Sequence, residues 1–218
     1  MNGDATPFMP VTFWVRRGKR IGDLLGGSLM LVLSSPLMLV AAAIIKATSP
    51  GPVFFRQTRA GKDGKPFVVI KFRTMRGNRT PDSKELVPLD HDEITRVGRL
   101  LRRLKIDELP QLFNVLLGDM SVVGPRPTLL DQVAVYDSFR RQRLLVKPGL
   151  TGLAQVYSSA AASWDERISY DIAYVRLSSP LLDLSILLRT FLVIFLGENR
   201  TTRDFASTRF TSVVDRVV

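Results

Sequence analysis

From Leu24 to Ile45 the chain carries no charge, a run of 22 residues reading LLGGSLMLVLSSPLMLVAAAII. About 20 apolar residues suffice for a helix to cross the hydrocarbon of a bilayer. The cores of secretory signals are shorter, about 7–15 residues. The pattern therefore predicts a membrane segment that is retained. Its centre is interrupted by Ser34-Ser35-Pro36. Proline removes an i→i−4 hydrogen bond and bends a helix, and serine hydroxyls can bond to the carbonyls so freed. Cations flank both ends: Arg16, Arg17, Lys19 and Arg20 before the run, Lys46, Arg56 and Arg59 after it. Positive flanks favour the cytoplasmic face. The pattern leaves two readings open: a re-entrant helix broken at Ser35-Pro36, which leaves on the side it entered, or a kinked helix that spans.

After Thr48 the pattern changes. Ser49-Pro50-Gly51-Pro52 is a breaker cluster and marks a boundary. Val53–Phe55 and Phe67–Phe72 read as the strands of a hairpin around the turn Gly61–Lys65, which lacks the spacing of a phosphate-binding loop. Lys71 and Arg73 fall on one side of the second strand by its period of two. Gly77–Asp92 reads as a polar loop. Ile94, Val97, Leu100, Leu101 and Leu104 predict a helix over Glu93–Leu104, with arginines on its other faces. Thr128–Leu145 reads as a helix with a basic end. Ser163–Arg176 is helical in pattern and puts Asp171 on an apolar side, where a carboxylate needs a partner such as an arginine. Pro180–Leu196 fits either a core helix or an amphipathic helix lying in the headgroup region. The tail from Asn199 is polar and expected to fray. The fold class expected is α+β, mainly helical with a small antiparallel β-hairpin. Residues 1–48 form a leader and membrane helix, 49–197 a globular domain, and 198–218 a tail.

Charge narrows the function. Thirty-one Lys and Arg against 20 Asp and Glu give a net charge of +11, which implies an anionic partner: nucleic acid, anionic lipid or a phosphorylated substrate. No cysteine is present and His91 is the only histidine. Disulfides, thiolate metal sites and multi-histidine zinc sites are thereby excluded. His91 lies in the polar stretch LDHDEI and reads as a surface residue.

The candidate chemistry gathers in Arg102–Pro127, RRLKIDELPQLFNVLLGDMSVVGPRP. Proline is tolerated in a first helical turn, so Pro110 predicts a helix start near Asp107–Leu109. The pair Asp107-Glu108 would then sit at a helix N-terminus, where anions are favoured. Carboxylates, cations and a helix start suggest phosphoryl chemistry; an N-cap Asp with a first-turn Glu is the plain alternative.

Taken together, the motifs resemble the bacterial sugar transferases, specifically the small monotopic polyprenyl-phosphate phosphoglycosyl transferases. They are Ser35-Pro36, Phe55-Arg56-Gln57 with Arg59 and Gly61, KFRTM at 71–75, ITRVGRLLR at 94–102, DELPQLFNVLLGDMSVVGPRP at 107–127, KPGLTGLAQV at 147–156, Asp171 with Tyr174-Val175, and Leu182-Asp183-Leu184. The resemblance runs in order from about Arg20 to Leu196 and corresponds to the minimal catalytic form. It implies transfer of a sugar 1-phosphate from a nucleotide-diphosphate sugar, with UDP the expected nucleotide, to undecaprenyl phosphate, with Mg²⁺ required. That is the first membrane step of glycan or exopolysaccharide synthesis. By the same resemblance Asp107 is the nucleophile, Glu108 holds the metal, and Lys71, Arg102, Arg126, Asp171 and Tyr174 serve substrate binding. It also implies that Ser35-Pro36 is the break of a re-entrant helix, and residence at the bacterial inner membrane, with the active site on the cytoplasmic face among membrane lipids. Ala60 departs from a position where members often carry Pro. The motifs leave the sugar, the nucleotide and the oligomeric state open, a homodimer included.

Two rival classes can be weighed. A nucleic-acid-binding protein would share the basic charge but not need the uncharged run, and no helix-turn-helix or ribonucleoprotein pattern is present, so no nucleic-acid partner is expected. A non-catalytic membrane scaffold of the same fold is the other alternative, and the intact Asp107-Glu108 pair speaks against it.

Overall fold

A computed structural model describes residues 12–76, 91–159, 162–196, 205–208 and 210–214. A short π-helical turn, Trp14–Gly18, runs into helix α1, Lys19–Thr48. Where the sequence predicts a break at Ser35-Pro36, helix continues through Pro36. The reason is local. Pro36 cannot donate to the Val32 carbonyl, and the Ser35 hydroxyl donates to that oxygen instead at 2.8 Å. The neighbouring Ser34 hydroxyl donates to Met30 O at 2.7 Å.

Both ends of α1 pack on the globular body. At its start, Lys19 pairs with Asp183 at 2.6 Å. Asp23 accepts hydrogen bonds from the Ser121 hydroxyl and the Val122 amide. Near its end, Met38, Ala41 and Ile45 join a core with Phe72, Leu101 and Ile106. Along its length α1 exposes Ile21, Leu25, Leu29, Val32, Leu33, Val40 and Ile44, which at about 100° per residue fall on one helical side.

The hairpin is formed by β1, Phe54–Ala60, and β2, Pro66–Phe72, antiparallel with Arg56 opposite Ile70. Helix α2, Arg96–Arg103, is capped by the Thr95 hydroxyl, which accepts from Gly98 N–H. Helix α3, Gln111–Leu117, leads to β3, Ser121–Val123. The strand β3 pairs in parallel with β4, Gly149–Thr151. The glycines of the two Pro-Gly corners explain the close pairing. A Cβ on Gly149 would lie 2.1 Å from Gly124 N, so the backbones touch where side chains have no room.

The helix predicted over Thr128–Leu145 is divided. It consists of α4, Leu130–Ala134, α5, Ser138–Arg141, and a 3-10 turn, Gln142–Leu145. Asp137 restarts the chain by accepting from Arg140 N–H at 2.7 Å, a side-chain cap that competes with helix continuation. After α6, Leu153–Tyr157, the long helices α7, Trp164–Leu177, and α8, Pro180–Leu196, follow. In α7, Ile168, Tyr170, Ile172, Ala173, Tyr174 and Val175 are buried. One side of α8 buries Leu182, Ile186 and Val193, and the other exposes Leu181, Leu184, Leu188, Phe191 and Phe195.

The described part of the tail is folded rather than frayed. Phe205 packs edge-on against Tyr170 with centroids 4.7 Å apart, and Phe210 against Tyr157 at 5.4 Å. The segment closes with α9, Thr211–Val214, whose Val213 carbonyl accepts from Arg176 at 2.6 Å. The polar loop predicted over Gly77–Asp92 lies almost wholly outside the described residues. His91 is half-buried, and its Nδ1 accepts from Glu93 N–H at 3.2 Å.

Candidate active site

Asp107 and Glu108 are not on a helix N-terminus, as the sequence suggested. They lie in a separate 3-10 turn, Ile106–Glu108, and α3 begins only at Gln111, with Pro110 as its cap. The turn is entered through Lys105, a non-glycine residue in the left-handed region at φ 57°, which reverses the chain after α2. Ile106 is buried in the core shared with the second half of α1, so α1 packs against the turn that carries the carboxylates.

The two carboxylates have different surroundings. Glu108 Oε1 accepts from Lys71 Nζ at 2.7 Å and from Arg126 Nη2 at 2.7 Å. Burial alone would raise its pKa, but Arg126 and Lys71 outweigh it and hold the carboxyl well below the usual range. Asp107 is also buried, with 8% of its surface exposed, yet it makes no hydrogen bond or ion pair with the described residues. Burial and the neighbouring Glu108 charge push its pKa up to about 6, against the opposing pull of Lys71, Arg102 and Arg126. One carboxylate is therefore fixed and ionised, and the other is uncommitted.

The elements that bring cations here are the hairpin, α2 and the Gly124–Pro127 corner. Lys71 comes from β2, and burial lowers its pKa. Arg102, at the end of α2, donates from Nε to the Thr74 hydroxyl at 2.9 Å and acts electrostatically on both carboxylates. Arg126 is half exposed and faces Glu108.

Arg59 belongs to the same cluster, although the sequence offered it only as part of a motif. Its guanidinium is forked onto Gln57 Oε1, at 3.0 Å from Nε and 2.6 Å from Nη2. Burial, with Arg126 beside it, lowers its pKa to about 10. The signal was the spacing: Gln57 and Arg59 stand two apart on one side of a strand. Among the described residues, four cations, Arg59, Lys71, Arg102 and Arg126, thus act on the two carboxylates, a setting that favours an anionic ligand.

Two residues expected at the substrate are paired away from the carboxylates. Asp171 is 2% exposed and pairs with Arg143 at 2.5 Å; burial lifts its pKa to about 6. Its reach toward the site is indirect, because Arg143 also donates to the Arg126 carbonyl at 3.0 Å. Tyr174 is fully buried, and its hydroxyl lies 2.7 Å from Asp183 Oδ1 and 3.0 Å from Val123 O. Trp14 Nε1 and Lys19 bind the other oxygen of Asp183. These side chains brace the corner and the foot of α1. Arg143 was hidden among the basic residues 140–143, and only the need of Asp171 for a partner hinted at it. Ser35 and Pro36 stay on α1, outside the polar cluster.

Comparison with known proteins gives the family. The sequence profile of the family described as bacterial sugar transferase matches residues 14–197. A protein of Bacillus subtilis named uncharacterized sugar transferase EpsL is 42% identical, over 90% of this chain and 97% of its own. The UDP-glucose:undecaprenyl-phosphate glucose-1-phosphate transferase of Klebsiella pneumoniae is 44% identical over 82% of this chain. The UDP-N-acetylgalactosamine-undecaprenyl-phosphate N-acetylgalactosaminephosphotransferase of Aeromonas hydrophila is 41% identical over 86%. The match spans only 40% and 45% of the lengths of the last two. With the profile covering most of its length and the carboxylate–cation cluster inside the matched region, this chain belongs to the bacterial sugar transferases.

Proposed function

We propose that this protein moves a sugar 1-phosphate from a UDP-sugar to undecaprenyl phosphate, through a covalent intermediate on Asp107, in exopolysaccharide or related glycan synthesis. The names of the relatives support the substrate class. The observation that carries the mechanism is the division of labour between the carboxylates: Glu108 is engaged by two cations, and Asp107 is free to attack.

In the first step a carboxylate oxygen of Asp107 attacks the sugar-bearing phosphorus. The bond to the bridging oxygen breaks, and UMP leaves with that electron pair. In the second step a phosphate oxygen of the lipid attacks the same phosphorus and expels the Asp107 carboxylate, giving the polyprenyl-diphosphate sugar. A carboxylate is a weak nucleophile in water, and positioning in line with the phosphorus is what makes it effective. Arg59, Arg102, Arg126 and Lys71 would balance the diphosphate charge, the arginines by two-pronged contact.

The donor set suits Mg²⁺. This hard ion needs few protein oxygens and keeps waters and substrate phosphates as ligands. Glu108 Oε2 has only a long 3.4 Å contact to Arg126, so it retains donor capacity, and Asp107 lies next to it. Bound there, the ion would neutralise diphosphate oxygens and stabilise the departing phosphate.

The packing of α1 supports a monotopic seat. A helix crossing a core of about 30 Å would separate its ends, yet residues 19–27 and 38–45 both bury side chains or backbone on one globular body. The exposed apolar sides of α1 and α8 would lie in the cytoplasmic leaflet, at the depth of the lipid phosphate.

The test is donor cleavage by purified protein with a panel of UDP-sugars, with and without undecaprenyl phosphate. UMP release and a phosphosugar adduct at Asp107 are expected. Asp107→Asn should lose both, by at least about a thousandfold in rate, and remain in the membrane fraction. Retained turnover in Asp107→Asn would overturn the assignment.

A further inference from the structure

A second concentration of positive charge lies at the opposite end of α3 from the carboxylates. The helix ends at Gly118 in a left-handed conformation, φ 96°, which turns the chain away and leaves the last carbonyls facing outward. Arg20 of α1 donates to two of them, Val115 O at 2.6 Å and Leu116 O at 2.8 Å. A Cβ on Gly118 would meet Arg20 Nη2 at 3.4 Å and Lys147 Nζ at 3.5 Å. Two cations from distant parts of the chain therefore converge over one residue that has no side chain.

Lys147 is half-buried and makes no hydrogen bond or ion pair with the described residues. Its pKa is lowered, first by burial, then by Arg20, with Lys62 of the hairpin turn adding to the effect. Two carboxylates act on the same ammonium, Asp23 and Asp119. Asp23 is committed to the Ser121 hydroxyl and the Val122 amide, and Asp119 is exposed and forms no ion pair with Lys147. Cations held together in this way favour an incoming anion.

The surroundings indicate which anion. Leu117, next to Gly118, and Ile21, next to Arg20, are exposed, as are Phe113 of α3 and Leu24 and Leu25 of α1. An apolar surface edged by cations matches the boundary between acyl chains and phosphate headgroups.

We infer that Lys147 and Arg20 form a binding site for a phosphate oxyanion, distinct from the reacting centre and filled by the headgroup of an anionic phospholipid. The inference rests on the membrane seat of α1 and is independent of the transfer chemistry.

The test uses the full chain in neutral detergent, with acylation of Lys147 by an amine-reactive ester followed by peptide mass spectrometry. Phosphatidylglycerol at ten times its dissociation constant should slow the labelling of Lys147 about tenfold. Exposed Lys65 should change less than about twofold under the same occupancy argument. The protection should weaken in Lys62→Gln. Protection by phosphatidylglycerol but not by inorganic phosphate assigns the site to the headgroup. Protection by both assigns it to phosphate oxyanions generally, which upholds the site and overturns its restriction to lipid. Equal protection by phosphatidylcholine, or none by any of the three, overturns the site. UMP release measured in parallel reports separately on the catalytic reading.

Discussion

Asp107 and Glu108 are neighbours with the same functional group and opposite electrostatic outcomes. This difference has a measurable consequence for stability. Asp107 has a folded-state pKa of about 6 against an unfolded value near 3.9. Between those values the folded protein holds a proton that the unfolded chain has lost, so stability falls as pH rises through the window. Asp107→Asn is neutral throughout and escapes the loss. In chelator, the variant should equal the parent near pH 4 and exceed it by on the order of 2 kcal/mol at pH 7, measured by denaturant unfolding at each pH. Asp171, which also titrates near pH 6, is common to both proteins and cancels. A parent as stable as the variant at pH 7 would mean that Asp107 is not destabilised by burial. The sequence showed the carboxylates and most of the cations because charged residues in fixed spacing are visible in one dimension. It did not show Arg59 within the cluster or Asp171 outside it, because burial and pairing are decided by elements distant in sequence.

At the scale of elements, periodic apolar spacing was legible and side-chain competition with the backbone was not. The hairpin and helices α2, α7 and α8 lie close to where the pattern put them. The failure was at Asp137, whose cap divides a predicted helix; at Ser35 the hydroxyl does take up the carbonyl orphaned by Pro36, as the sequence allowed, and α1 stays continuous. The chain has no native cysteine, so topology can be read cleanly. Single cysteines at exposed Phe13 and Lys65 should both react with a membrane-impermeant maleimide from the cytoplasmic side only. Reaction from opposite sides would show that α1 spans. Ser35→Ala should leave one carbonyl unsatisfied and cost about 1–2 kcal/mol of helix stability, visible as a lower unfolding temperature in micelles.

Across the whole molecule, the globular body extends beyond the region matched by the family profile, which ends at residue 197. Phe210 is 2% exposed and packs with Tyr157 and Tyr170, so the tail contributes to the core. Polar composition concealed this, since two aromatics and a few valines scattered among polar residues give no clear periodic signal. Phe210→Ala should destabilise the protein by about 3 kcal/mol or more, measured by denaturant unfolding; an unchanged midpoint would show that the tail is not part of the cooperative unit. The seating of α1 carries a practical consequence. Met38, Ala41 and Ile45 fill the same core as Ile106, the residue before Asp107. Cutting the chain after Thr48 would therefore do more than remove an appendage; it would take packing away from the turn that carries Asp107 and lay bare the apolar surface that α1 had covered.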